Sequence, residues 1–334
     1  MGVLILDANN LDYCQMKKQP LQIKMASPRG FCAGVQRAID IVEQMLKTYG
    51  SPVYVRHQIV HNHHVVTRLK KMGAVFIEDI EQAPNDRPIV FSAHGVPKAV
   101  PQKAKARKMH YVDATCPLVS KVHREAERFF QQNYYIILIG HRFHPEVEGT
   151  MGQLPEGTIQ LVETLDDIEK LKIPPNRKLA YLTQTTLSVD ETKEMIDKLK
   201  ELYHDIVEPN KNDICYATTN RQNAVKELAH SCDLFLIIGS ANSSNSCRLV
   251  DVAIKNGCQK AFLIEDTSQL KKEWFLNVHT LGISAGASAP EFIVEELIAH
   301  LQQNYDLSIN NGQQIKEDIT FRLPPLTRSP ALHI

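Results

Sequence analysis

Three cysteines in this chain open the same succession of elements, and that repeat constrains the fold more than any composition value. Cys32 stands in Gly30-Phe31-Cys32-Ala33-Gly34-Val35, Cys116 in Asp113-Ala114-Thr115-Cys116-Pro117, and Cys215 in Asp213-Ile214-Cys215-Tyr216-Ala217-Thr218. Twenty-five residues after each thiol stand His57, His141 and Ser240, which close the apolar runs 53–55, 136–139 and 234–238. A second polar residue follows 29, 28 and 28 residues from the thiol: His61, His144 and Ser243. A chain that repeats thiol, helix, strand and polar tip three times predicts three similar modules that bring their tips to one centre.

Periodicity fills in each module. In the first, residues 21–26 alternate like a strand, and Pro28 and Gly30 break the run before Cys32. Val35, Ile39, Val42 and Leu46 then lie on one helical face that Gly50 closes. The second helix face carries Val119, Val122, Ala126 and Phe129, and the third helix carries Val225 and Leu228. Strand alternating with helix predicts α/β modules with small parallel sheets, whose ligands lie beyond the carboxyl ends of the strands. The boundaries read as an extension at 1–22, modules at 23–115, 116–213 and 214–303, and a polar, then Pro-rich surface tail at 304–334.

The 334 residues carry 38 Lys+Arg against 38 Asp+Glu, so no basic field favours nucleic acid or an acidic membrane surface. The longest apolar runs are strand-sized, and residues 1–10 lack the pattern of a secretory signal, so a cytoplasmic location is expected. The cysteine count is odd at seven, and the spacing is not that of a disulfide scaffold. Cys14, Cys232, Cys247 and Cys258 read as ordinary buried thiols, whereas Cys32, Cys116 and Cys215 share places in the repeat. Three thiolates, one per module, fit a cubane cluster with one iron left open, and they equally fit zinc held by three cysteines and a histidine.

The polar tips suggest the partner of that metal. The stretch 239–246 is small and polar, follows a strand and opens a helix, which suits a phosphate but also an ordinary cap. Ser284 to Ser288 permit close backbone approach. His61, His94 and His144 each follow a strand and together suit an anion and proton relay. Glu146, two residues past His144, is a candidate proton donor.

Taken together, the segments PRGFCAGV, VHN at 60–62, FSAHGV, DATCPLV, GHRFHPEVEGTMGQ, TQTTLSVD, DICYATTNRQ, GSANSSNS and AGASAP closely resemble the 4-hydroxy-3-methylbut-2-enyl diphosphate reductases over residues 23 to 325. The resemblance implies a trefoil of three α/β modules around one central 4Fe-4S cluster. Its three ligands would be Cys32, Cys116 and Cys215, and its open iron would bind the allylic hydroxyl of the substrate. It also implies a diphosphate pocket of His61, His94, His144, Ser243, Ser244, Asn245 and Ser288. Thr185 and Glu146, with His144 beside them, would handle the hydroxyl and its protons. The products would be isopentenyl and dimethylallyl diphosphate, and a ferredoxin or flavodoxin would supply electrons. No G-x-G-x-x-G follows a strand, so no nicotinamide site is expected. Residues 1–22 and Cys247 have no counterpart in the pattern.

Overall fold

Buried parallel strands need helices on both faces, and the chain supplies them in an alternating order. The computed structural model describes residues 18–175, 177–312 and 315–325. The first third of the chain contains β1 (Gln19–Met25), α1 (Ala33–Tyr49), β2 (Val53–Arg56), α2 (His63–Lys71), β3 (Ala74–Ile77), β4 (Ile89–Phe91), α3 (Ala99–Ala106) and β5 (Tyr111–Asp113). The middle third contains α4 (Pro117–Gln131), β6 (Tyr134–Ile139), α5 (Pro145–Met151), β7 (Ile159–Val162), α6 (Leu165–Glu169), β8 (Lys178–Thr183) and α7 (Val189–Leu202). The remainder contains α8 (Tyr216–Ala229), β9 (Leu234–Ile238), α9 (Ser244–Lys255), β10 (Ala261–Ile264), β11 (Thr280–Ala285), α10 (Glu291–Gln302) and β12 (Tyr305–Asn311). Among the described residues the strands form three sheets, ordered β3-β2-β4-β5, β7-β6-β8 and β10-β9-β11-β1-β12, and all named pairings are parallel.

The threefold α/β architecture anticipated from the repeat is present, but the sheets do not follow the anticipated boundaries. β1 begins inside the expected extension and joins the third sheet, where Ile23 aligns with Leu281 on one side and Ile309 on the other. β12 lies in the expected surface tail and forms the outer edge of the same sheet. Leu21, Ile23 and Met25 are buried against β9, β11 and α10, which explains the alternation seen in sequence; alternation specifies a buried face and is silent about the neighbour.

A common connection follows from this arrangement. Each cysteine is the N-cap of a helix, with Cys32 before α1, Cys116 before α4 and Cys215 before α8. Each cysteine N–H donates to a carbonyl at the tip of the preceding sheet: Cys32 to Ala287 at 3.2 Å, Cys116 to Ala93 at 2.9 Å, and Cys215 to Thr185 at 3.1 Å. One sheet therefore holds the thiol whose helix packs on the next.

Ile23 is fully buried in a strand paired on both sides, whereas Ile309 on the edge strand is 42% exposed. Ile23→Ala is expected to cost about 2–5 kcal/mol and Ile309→Ala less than about 1 kcal/mol. Urea midpoints at constant m-value check this; equal losses would contradict the central place of β1.

Candidate functional site

The strand tips and the three helix N-termini surround one cavity of about 110 Å³. Every residue anticipated for the site lines it. Cys32, Cys116 and Cys215 border one part, His61, His94 and His144 another, and Ser243, Ser244, Asn245 and Ser288 a third, with Glu146 and Thr185 between. The residues 25 positions past each thiol do not line it: His57, His141 and Ser240 are absent from its wall, whereas His61, His144 and Ser243 are present. A short non-helical turn carries the chain from the strand end to the pocket.

Close approach of the thiols requires glycine. A Cβ on Gly34 would lie 2.6 Å from Cys116 Sγ and 3.8 Å from Cys32 Sγ, so both sulfurs face a residue without a side chain. Burial raises Cys116 to about 12 and Cys215 to about 11, and Cys32 adds to both shifts by like-charge repulsion. Hydrogen bonds at the helix start oppose the shift only in part; at Cys215 the Thr218 amide donates to Sγ at 3.4 Å and the Thr218 hydroxyl shares a hydrogen bond with it at 3.2 Å. Thiols so placed ionise when a cation enters among them. Among the described residues no three His, Cys, Asp or Glu side chains converge so as to hold a single metal ion. Three soft donors spread around a cavity suit a polynuclear cluster better than mononuclear zinc.

The other wall is built for an anion. The rings of His61 and His94 stack at 4.1 Å between centroids, with His144 edge-on to both. Burial is the main reason all three titrate low, His61 at about 4, His144 at about 3 and His94 well below its ordinary value. They stand as neutral imidazoles near pH 7, each with an N–H to donate, and a nearby anion would favour their charged form. His144 Nδ1 accepts from the Glu146 amide at 3.1 Å, which leaves Nε2 as the protonated nitrogen of its neutral ring. Both ring nitrogens of His61, Nδ1 of His94, the Ser244 hydroxyl and both amide atoms of Asn245 are buried without a hydrogen-bond partner among the described residues. Each such orphan costs about 1–3 kcal/mol, and a polyoxyanion with its protons would satisfy the set. Ser244 and Asn245 begin α9, whose cap Ser243 accepts from the Ser246 amide. A Cβ on Gly239 or Gly286 would overlap Ser246, so two small residues let this helix terminus sit against the strand tips.

Glu146 is 3% exposed and lies on α5. Its carboxyl accepts from the Thr185 amide at 2.6 Å and the Thr185 hydroxyl at 2.9 Å. Desolvation raises it to about 7 despite those bonds. Thr186 and Thr218 line the cavity and were not anticipated; their signal was the paired threonines inside the quoted segments TQTTLSVD and DICYATTNRQ. Of the thiols read as ordinary, Cys232 and Cys258 are buried, Cys247 is half-buried, and Cys14 lies outside the described residues. Cys247 Sγ bonds Ala241 O at 3.2 Å and borders a second, outer pocket that shares His61, His144 and Ser244 with the first.

Parallel α/β units meeting at a buried pocket, with thiols on one side and an anion cradle with an acid on the other, define an enzyme site. The LytB protein family model matches residues 23–302. The chain is 53% identical over 307 residues to a 4-hydroxy-3-methylbut-2-enyl diphosphate reductase of Phenylobacterium zucineum, covering 92% of this chain and 98% of that one. It is 52% identical over 316 residues to the reductase of that name from Cereibacter sphaeroides, covering 95% and 99%. A solved E-1-hydroxy-2-methyl-but-2-enyl-4-diphosphate reductase from Plasmodium falciparum superposes with a TM-score of 0.86 at 39% identity, covering 92% of this chain and 96% of that one. The chain belongs to the LytB protein family.

Glu146 binds its proton more tightly in the folded chain than in the unfolded one, where carboxylates titrate near 4.5. The folded form therefore holds a proton that the unfolded form has released between about 4.5 and 7, and the carboxyl's contribution to stability falls as pH rises through that window. Glu146→Gln removes this term. Denaturant midpoints are expected to shift progressively in the variant's favour from pH 4.5 to 7 and then level off; a constant offset would show that Glu146 titrates normally.

Proposed function

We propose that this chain reductively dehydroxylates (E)-4-hydroxy-3-methylbut-2-enyl diphosphate to isopentenyl and dimethylallyl diphosphate, a step of isoprenoid precursor synthesis. The observation that carries the reading is the single cavity that joins three free thiols to an unsatisfied polar cradle and to a carboxyl titrating near neutrality. The names of the relatives supply the substrate; the site supplies reasons for it.

Cys32, Cys116 and Cys215 would hold one 4Fe-4S cluster, leaving one iron without a cysteine. Such a cluster passes single electrons, and its open iron is a Lewis acid for a hydroxyl. The residues do the rest. His61, His94, His144, Ser243, Ser244, Asn245 and Ser288 bind the diphosphate and fix the orientation of the short carbon chain. Entry of the dianion raises the histidines, and their N–H groups offset its charge. Net reaction takes two electrons and two protons, releases water, and leaves a new C–H bond at one of two allylic carbons. Glu146, protonated up to about pH 7, supplies the proton that leaves with the hydroxyl, and the Thr185 hydroxyl at 2.9 Å orients it. His144 caps the helix bearing Glu146, so it ties the anion cradle to the acid.

The electrons come from outside the chain, and a ferredoxin or flavodoxin fits single-electron delivery. The six described cysteines are free, as a reducing, cytoplasmic setting requires. No helix among the described residues is long and apolar enough to cross a membrane.

The deciding experiment is the iron and acid-labile sulfide content of chain purified without oxygen, where about three to four of each per chain are expected. Zinc without sulfide would point to a hydrolase and remove the redox step. Cys32→Ser, Cys116→Ser and Cys215→Ser should each deplete the cluster, with Cys258→Ser as the unaffected comparison.

Two variants separate chemistry from binding. Glu146→Gln should keep its iron and lower kcat by about 10²-fold or more. His61→Ala should mainly raise KM for the diphosphate. A collapse of kcat at unchanged KM would instead place His61 in the proton path.

A further inference from the structure

The repeat contains a second set of equivalent residues, and they are cations. Arg37 stands five residues past Cys32, Lys121 five past Cys116, and Arg221 six past Cys215. Each lies on the helix that its cysteine caps, and each reaches the segment leading into another cysteine. Arg37 Nη1 donates to the carbonyls of Ala114 at 3.3 Å and Thr115 at 3.2 Å, the two residues before Cys116. Lys121 Nζ donates to the carbonyls of Lys211 and Asn212 and to the carboxylate of Asp213, at 2.7 Å for the last, just before Cys215. Arg221 donates through Nε and Nη2 to the Gly30 carbonyl at 3.1 and 2.7 Å, and through Nη2 to Phe31 at 3.5 Å, the two residues before Cys32. The cycle runs first helix to second thiol, second helix to third thiol, third helix back to first thiol.

We propose that Arg37, Lys121 and Arg221 form a cyclic brace that positions the three thiols, each cation setting the place of the cysteine that follows in the ring. The geometry suits the task. A helix is rigid over its first two turns, so a cation there is fixed relative to its own thiol. Its far end grips backbone carbonyls one to four residues from the next thiol. Fixing each thiol against its neighbour sets the spacing of three donors, which interactions within a single unit cannot do. The two further partners of the ring are consistent with this. Asp213 is buried and also accepts from the Thr183 amide at 3.0 Å, so the second clamp reaches the tip of β8. Arg221 is 0% exposed, and its charge is matched by Glu317 from the segment after β12, at 3.1 Å. That segment continues to Arg322, whose carbonyl accepts from Arg37 Nε at 3.0 Å, and so joins the third clamp to the first. The three are positioning residues; none lines the cavity.

The brace has a second effect. Arg37, and the pairs Lys121–Asp213 and Arg221–Glu317, would lie near a cluster held by the three thiolates, and cluster potentials respond to nearby charge. Removing one charge favours the oxidised cluster.

The test rests on the cluster reading and is arranged to separate the two ideas. It uses protein purified without oxygen: the parent, Arg37→Met, Lys121→Met, the charge-keeping Arg37→Lys and Lys121→Arg, and Lys98→Met as a comparison, whose ammonium pairs with Glu127 at the surface. Iron loss to a chelator and the midpoint potential are measured on each. Both Met variants should lose iron about tenfold faster than the parent, a common cost of removing a residue that orients metal ligands, and should show lower potentials. Lys121→Arg and Arg37→Lys should recover most of the rate, and Lys98→Met should match the parent. Met variants that match the parent in both readouts, or conservative variants as poor as the Met ones, would overturn the brace. Arg221 is left out because its side chain is wholly buried, so Met there would change core packing together with charge; Lys121→Met also leaves Asp213 unpaired, a cost that Lys121→Arg avoids. A parent that carries neither iron nor sulfide would sink the cluster reading alone. The brace would then be read on the metal-free chain as the rate at which a bifunctional thiol reagent links Cys32 to Cys116: slower in Arg37→Met supports it, unchanged overturns it.

Discussion

Three backbone hydrogen bonds, from the amides of Cys32, Cys116 and Cys215 to the carbonyls of Ala287, Ala93 and Thr185, are the constraint on which the site depends. At each of these points the cysteine amide is tied to the tip of one sheet and the next residue begins a helix. The cysteine carbonyls already accept the first helical bonds, from Gln36, Ser120 and Thr219, so the thiols are held between a strand tip and a helix start. The consequence is cooperative. No unit holds its own thiol, and the cavity exists only when all three sheets are in place. The same handing-on explains why β1 belongs to the third sheet. A strand that delivers Cys32 must lie beside the strand tip that holds Cys32, and that tip ends β11.

One physical cause explains the electrostatics of the cavity. Desolvation is the leading influence on Cys116, Cys215, His61, His94, His144 and Glu146, and it drives each towards its neutral form. The thiols keep protons, the carboxyl keeps a proton to about pH 7, and the imidazoles lose theirs. Opposite charges brought in together would undo these shifts in opposite directions: a metal cluster would ionise the thiols and a diphosphate would protonate the imidazoles. The unsatisfied atoms of His61, Ser244 and Asn245 are where an incoming anion would find partners. Fixed donors that need no rearrangement are what an electrostatic site uses to hold a charged ligand.

Much of this was legible in the chain because the repeat combines exact spacing with chemistry. The three thiols, the polar tips at 28 and 29 residues and the histidines could be read as one centre before any geometry was known, and all of them line one cavity. What the sequence withheld is instructive. Spacing of 25 was more regular than spacing of 28 to 29, yet His57, His141 and Ser240 lie off the pocket, because periodicity fixes a position along the chain and leaves direction open. The partner of β1 and the strand character of β12 were invisible because alternation identifies a face and says nothing of pairing, and an exposed edge strand such as Tyr305–Asn311 resembles a polar tail. The burial of Glu146 was hidden by the shortness of α5, which offers only seven residues of pattern. Arg37, Lys121 and Arg221 were in plain view at five, five and six residues past the thiols. A cation on a helix is normally a solvated side chain, and nothing in sequence shows that it reaches a carbonyl in another unit.

Thr185 brings the two halves of the chemistry onto one residue. Its amide and hydroxyl bind the Glu146 carboxyl, and its carbonyl accepts from the Cys215 amide. A displacement of this residue would move the acid and the third thiol together. The coupling is also electrostatic: a charge on Glu146 raises Cys215, so the two groups disfavour each other's anionic form.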